Sequence, residues 1–115
     1  MKDINGKIQY KDKEYRLVFN LNVMESIQEE YGTLDRWGEL TDGSKGEPNA
    51  KAVIFGFTQM LNEGIDIEND ENGTNIKQLT LKQVGRIITY VGLASATAQM
   101  NQTVVDSTKG DEKNE

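Results

Sequence analysis

Apolar and polar residues alternate near the start of the chain, over residues 7–19. A period of two is typical of a strand with one apolar face, and a polar break divides the run into two arms. The arms carry apolar residues on alternate positions: Ile8, Tyr10, Tyr15, Leu17 and Phe19. We therefore predict a β-hairpin over residues 7–19. The turn lacks the glycine that short hairpins favour, which leaves the register of the strands open.

Two helices are predicted directly after the hairpin. Over residues 22–32 the apolar side chains recur at spacings of three and four, which is typical of a helix with one buried face. Asn22 can cap the start of this helix, with Glu25 three positions later, and Gly32 can end it. A shorter helix is predicted over residues 34–40.

A polar loop separates these helices from a third one, predicted over residues 48–63. Pro48 suits its first turn, and Gly64 suits the position just after its end. Phe55 does not lie on the apolar stripe of this helix. Either a loop or a neighbouring helix covers it, or it contacts a partner. The acidic stretch at residues 65–79 is predicted to be irregular.

The last predicted helix covers residues 80–104. Thr80 and Gln83 form the clearest capping box in the chain, and Leu81 begins an apolar stripe. Residues 106–115 have no apolar side chain and are predicted to be a disordered polar tail. Small residues in the last helix permit close approach of another helix, within the fold or between subunits: Gly85, Gly92 and Ala96.

These elements predict an α+β fold that is mostly helical. An N-terminal β-hairpin packs on about four helices, two of them long. The chain has 115 residues, 36% of them hydrophobic, which is enough for one core. We therefore expect a single domain over residues 1–105.

The composition excludes several kinds of chemistry. The chain contains no Cys and no His, which removes disulfides, thiolate nucleophiles, Cys- or His-ligated metals and Ser-His-Asp catalysis. Aligned with a calcium-binding loop, Glu68, Asp70 and Asn72 take ligand positions, but Leu79 stands where a bidentate Glu is required. We therefore expect no enzyme activity, no catalytic residue, no metal and no cofactor.

Charge narrows the range of partners. Acidic residues outnumber basic ones by 19 to 13, which gives a net charge of −6 and disfavours nucleic acids and anionic membrane surfaces. Residues 87–105 are uncharged and long enough to cross a bilayer, but polar side chains occur throughout them. The first residues lack the apolar stretch of a signal peptide. We expect a cytoplasmic protein that binds neither nucleic acid nor membrane.

Two runs of residues, taken with the order of the elements, resemble a known family. Residues 19–37 combine an aromatic residue, a helix cap, an acidic helix, a Tyr-Gly pair and a short helix. Residues 80–85 are the second run that carries the resemblance. Together they resemble the tail assembly chaperones of long-tailed phages and prophages of Gram-positive bacteria, over most of residues 7–100. The chain departs from that pattern at residues 12–13, where the turn lacks a glycine, and in its long acidic stretch at residues 65–79.

The resemblance implies a non-enzymatic chaperone-like domain. Such proteins bind and shield the tape measure protein, a very long helical chain, before the tail tube polymerises around it. It also implies a homo-oligomer, a further contact with the tail tube protein, and a place in the host cytoplasm rather than in the mature virion. The main alternative is a minor structural tail protein or a head–tail joining protein. A small acidic inhibitor that mimics DNA and an enzyme that uses Asp or Glu are further alternatives.

If the chain binds a helical partner, apolar side chains of the helices would carry the contact. The candidate partner-binding residues are Tyr31, Leu34, Trp37, Phe55 and Phe57. For Trp37 and Phe57 the alternative is that both simply fill the core.

Overall fold

The structure, a computed structural model, describes the backbone of residues 6–113 and the side chains of residues 6–108. Within that part of the chain there are two strands and five helices, so the predicted α+β, mostly helical fold is confirmed. The elements are β1 (Gly6–Tyr10), β2 (Lys13–Leu17), α1 (Leu21–Tyr31), α2 (Leu34–Thr41), α3 (Ala50–Asn72), α4 (Leu81–Val91) and α5 (Leu93–Lys113). None of the helices described is both long and apolar enough to span a membrane.

The N-terminal hairpin forms as predicted, and its register is now defined. Strands β1 and β2 are antiparallel, and Tyr10 pairs with Lys13, so only two residues form the turn. Lys11 takes the positive φ of 57° that a glycine would adopt more readily. Ile8 and Leu17 lie on one face of the hairpin and are buried against the helices.

Helix α1 begins slightly earlier than predicted. Asn20, not Asn22, is its N-cap, because the Asn20 side chain accepts a hydrogen bond of 3.2 Å from the Val23 backbone N–H. Both asparagines also donate to the Glu63 carboxylate, at 2.7 Å from Asn20 and 3.1 Å from Asn22. The predicted end at Gly32 is confirmed, with a φ of 90° that favours glycine.

Both ends of α3 differ from the prediction of a helix over residues 48–63. Asn49 is the N-cap, and its side chain accepts a hydrogen bond from the Ala52 N–H, so Pro48 lies before the helix. The helix continues through the acidic residues to Asn72 and ends at Gly73, which has a left-handed φ of 66°. The prediction of an irregular stretch is therefore wrong for residues 65–72.

Gly64 lies inside α3 and does not cap it. A Cβ at residue 64 would lie 2.8 Å from the backbone oxygen of Arg16 in β2. The glycine thus lets the helix backbone approach the hairpin closely, and the Val18 N–H donates to the Met60 carbonyl at 3.3 Å nearby. The same residue type that ends a helix elsewhere here serves a close packing contact.

The predicted helix over residues 80–104 is two helices. The capping box at its start is confirmed, because Thr80 and Gln83 exchange hydrogen bonds of 2.8 and 3.1 Å. Gly92 interrupts the helix with a φ of 104° and separates α4 from α5. Helix α5 extends to Lys113, so the prediction of a disordered tail from residue 106 is wrong for residues 106–113, and residues 114–115 lie outside the described part.

The core receives side chains from the hairpin and from all five helices. Its members include Ile8, Leu17, Phe19, Val23, Ile27, Trp37, Val53, Phe57, Met60, Leu61, Val84, Ile87, Ala96 and Met100. Two of the small residues of the last predicted helix pack within the fold: Ala96 is fully buried, and a Cβ at Gly85 would lie 3.7 Å from the Ile54 side chain.

Candidate functional site

An open groove lies between the first half of α3 and helix α4. It has a volume of about 800 Å³. Its apolar lining comes from Ile54 and Phe55 of α3 and from Leu81 of α4. Leu81 is 54% exposed, although it begins an apolar helix. We call this feature the α3–α4 groove.

Local sequence explains why the groove stays open. The Thr80 capping box fixes the first turn of α4, so that Leu81 stands at the helix start. One turn further on, Gly85 has no side chain, and a Cβ at that position would lie 3.7 Å from the Ile54 side chain of α3. A larger residue at position 85 would fill the groove floor.

Three cations line the α3–α4 groove: Lys51 of α3, and Lys82 and Arg86 of α4. All three are exposed, and none forms an ion pair with any residue whose side chain is described. No Asp or Glu within residues 6–108 lines the groove. The groove is therefore a locally basic surface on a chain whose net charge is −6.

Phe55 is supported from outside the groove by Tyr31 of α1. The two rings meet edge to face, with centroids 5.7 Å apart and an interplanar angle of 72°. The Tyr31 hydroxyl is buried and has no hydrogen-bond partner among the described residues. Burial, and to a lesser extent the neighbouring charge of Glu30, raise the pKa of Tyr31 above its ordinary value of 10.0.

The five candidate partner-binding residues do not form one surface. Phe55 lines the α3–α4 groove and Tyr31 packs against it, whereas Leu34 lies in a separate groove. Trp37 and Phe57 are 1% and 0% exposed and belong to the core. The Trp37 indole N–H donates a hydrogen bond of 3.0 Å to the Ala52 carbonyl, which completes its burial. Trp37 and Phe57 therefore fill the core, as the alternative interpretation of these two residues expected.

The second groove lies between α2 and α5 and has a volume of about 450 Å³. Its apolar lining includes Leu34, Val104 and Val105, and its acidic residues are Asp35, Glu39 and Asp42. The Ser44 backbone N–H donates to Asp42 at 2.8 Å, which lowers the pKa of that carboxyl group. The two grooves thus carry charges of opposite sign.

The periodicity of the sequence missed most of the groove. It assigned Leu81 to a buried stripe, but the buried residues of α4 are Val84, Ile87 and Ile88. The groove joins α3 and α4, which are separated along the chain by an acidic half-helix and a polar loop. The one available signal was Phe55, the aromatic residue that did not fit the stripe of its own helix.

The α3–α4 groove combines an exposed apolar floor with cations, while Glu68 and Asp70 lie on α3 rather than in a calcium loop. Within the described residues, no three carboxylates converge as a metal site requires. No protein-family model matches the chain, and no curated protein or solved structure shows similarity to it.

Proposed function

We propose that this protein is a phage tail assembly chaperone that binds and shields the tape measure protein during tail morphogenesis, without catalysing a reaction. The observation that carries the proposal is the α3–α4 groove, whose apolar floor is exposed to water. Ile54, Phe55 and Leu81 supply its apolar side chains. The resemblance of residues 19–37 and 80–85 to this family supports the choice of partner.

The size of the groove fits a partner helix. From Leu81 to Thr89, both of which line it, α4 rises by about 12 Å, or slightly more than two helical turns. A partner helix of that length presents apolar residues at positions i, i+3 or i+4, and i+7. Burying one Leu or Phe side chain contributes about 1.5–3 kcal/mol, so two or three anchors suffice for a reversible complex.

A chaperone has a physical role for such a partner. Exposed apolar faces on a long helical chain associate with one another in water, because their burial is favourable. A small acidic protein that covers one face adds negative charge and keeps the complex soluble. Self-association, contact with the tail tube protein, cytoplasmic location and absence from the virion belong to the same proposal, and they rest on the resemblance alone.

Co-expression tests this proposal. The tagged chain is produced together with the longest open reading frame downstream in its own genome, and the soluble fraction is purified through the tag. We expect the long protein to become soluble and to elute with the chain at high salt. A long protein that stays insoluble while this chain elutes alone would overturn the proposal.

A matched pair of leucine variants assigns the interaction to the groove. Leu81 and Leu21 are each the first residue of a helix, and they are 54% and 72% exposed. Leu81→Ala is expected to reduce recovery of the partner several-fold, whereas Leu21→Ala leaves it unchanged. Equal recovery with both variants would place the contact elsewhere. Recovery of the chain from purified virions would instead favour a structural tail or head–tail joining role.

A further inference from the structure

We infer that the α3–α4 groove takes an amphipathic helix whose apolar face is bordered on both sides by acidic residues. The inference rests on the proposed function for the identity of the partner, but its chemistry comes from the groove itself. It specifies which segment of a long helical partner would dock and which would not.

The placement of the cations defines the pattern. Lys82 and Arg86 are four residues apart on α4, so their side chains start about 5–6 Å apart on one side of the groove. Two carboxylates one turn apart on a docked helix match that spacing. Lys51 lies on α3, across the groove, and can receive a carboxylate from the opposite border of the same helix.

The charges also argue for an acidic partner rather than a neutral one. The chain as a whole is acidic, so an acidic partner gains nothing from its net charge at long range. The attraction must come from groups within about 8 Å, where salt screens less, and the three cations that line the groove are those groups. Docking removes water from around them and strengthens each pair, and Arg86 can bind a carboxylate through two parallel hydrogen bonds.

Helix α1 of a second copy of this chain does not offer the required apolar face. Helix α1 carries acidic residues beside an apolar stripe, including Glu25 and Glu29, but its apolar residues Val23 and Ile27 are buried in its own core. Exposing them would unfold the donor molecule. A helix of another protein, free along its whole apolar face, meets the requirement without that cost.

Three synthetic peptides test the inference. Each is a helix of about 18 residues, roughly five turns, with the same leucine face and with Glu, Gln or Lys at every border position. Binding to the full-length protein is measured by fluorescence anisotropy at about 0.05 M and about 0.5 M salt. We expect the Glu peptide to bind at least about tenfold more tightly than the Gln peptide at low salt, the Lys peptide to bind least, and the preference to shrink at high salt.

Two double variants with the same loss of charge test whether the preference for the Glu peptide comes from the α3–α4 groove. Lys82→Gln with Arg86→Gln is expected to reduce the Glu preference several-fold, with Lys51 retaining the remainder, while leaving affinity for the Gln peptide nearly unchanged. Lys13→Gln with Lys77→Gln removes the same charge beside the cleft between β2 and α3 and is expected to leave the preference intact. All four side chains are exposed, and a thermal melt checks that each variant is folded.

Several results would overturn the inference: no peptide binding, equal binding of the three peptides, or a Glu preference that Lys82→Gln with Arg86→Gln leaves undiminished. A dimer in solution that Leu81→Ala dissociates would assign the groove to a second copy and would also overturn it. If the peptide experiment fails but the tape measure protein still co-purifies with the chain, the chaperone proposal stands. A Glu preference without co-purification supports the groove chemistry and rejects the chaperone role.

Discussion

The backbone of Gly56 in α3 lies directly against the indole ring of Trp37 in α2. A Cβ at residue 56 would lie 2.3 Å from Cζ2 of the ring. One turn earlier on α3, the Ala52 carbonyl accepts the hydrogen bond of the Trp37 indole N–H. Gly56 and Ala52 therefore form a slot on α3 that holds the largest side chain of the core.

Gly56→Ala is expected to lower the free energy of unfolding by up to about 2 kcal/mol, measured by urea denaturation. In an open helix position, replacing Gly by Ala gains about 1 kcal/mol. At residue 56 the added methyl overlaps the indole ring, and overpacking of this kind costs about 1–3 kcal/mol, which equals or outweighs that gain.

Gly38→Ala is the control for this change. Gly38 also lies inside a helix, but nothing lies within 4 Å of the position that its Cβ would take. We expect this variant to be more stable than the parent by about 0.5–1 kcal/mol. Equal stability of the two alanine variants would contradict the close approach of α3 to Trp37.

The sequence predicted the parts of the fold that depend on local patterns. The hairpin, α1 and α2 follow from alternation, helical spacing and the stop at Gly32. Two of the errors occurred at glycines whose roles the sequence pattern does not define. Gly64 was interpreted as a helix end because glycine often occupies that position, yet here it allows contact with Arg16 of β2. Gly92 was taken as a small residue on a helix face, although its φ of 104° ends α4.

The groove could not be predicted for a related reason. Its apolar and basic residues come from two helices, and periodicity describes one helix at a time. Aromatic residues were the natural candidates for a partner surface, but Trp37 and Phe57 are also the side chains that best fill a core. Only the packing of α3 beside α4 shows that three cations line one groove: Lys51, Lys82 and Arg86.

Gly92→Ala is expected to destabilise the protein by about 1–2 kcal/mol, because an L-residue is strained at the positive φ that separates α4 from α5. No atom crowds this position, so the loss would come from backbone conformation alone. Gly85→Ala is the control, since Gly85 lies in the regular helix α4 and is expected to gain stability or stay unchanged. A Gly92→Ala variant as stable as the parent would mean that α4 and α5 can form one continuous helix.

Tyr31→Phe is expected to keep or raise stability at neutral pH, by up to about 1 kcal/mol, because it removes a buried hydroxyl that has no hydrogen-bond partner among the described residues. The ring contact with Phe55 is retained. Tyr90→Phe is the control, since Tyr90 is 59% exposed and its loss of a hydroxyl should leave stability unchanged.

The stability difference between the parent and Tyr31→Phe is expected to depend on pH. The pKa of Tyr31 is raised above 10.0 in the folded protein, chiefly by burial. Above pH 10.0 the unfolded chain therefore loses this proton more readily than the folded one, which favours unfolding. The parent is expected to lose more stability than Tyr31→Phe as the pH rises through that range in urea denaturation. Parallel losses in the two proteins would show that Tyr31 ionises as easily in the folded state.

The two asparagines at the start of α1 distinguish the cap in the structure from the cap predicted from sequence. Asn20 and Asn22 both donate to Glu63, so truncating either one removes a contact with the same carboxylate. Only Asn20 also accepts from the Val23 backbone N–H, which would otherwise lack a partner in the first helical turn. Asn20→Ala should therefore cost about 1–2 kcal/mol of unfolding free energy.

Asn22→Ala should cost much less, about 0.5 kcal/mol or below, because the exposed hydrogen bond that it loses is weak and alanine is the better helix former. Urea denaturation of both variants measures the difference, and far-ultraviolet circular dichroism shows whether helix content falls with it. A larger loss for Asn22→Ala than for Asn20→Ala would restore the sequence-based assignment of the cap. It would also shift the start of α1 towards Asn22, by about half a helical turn.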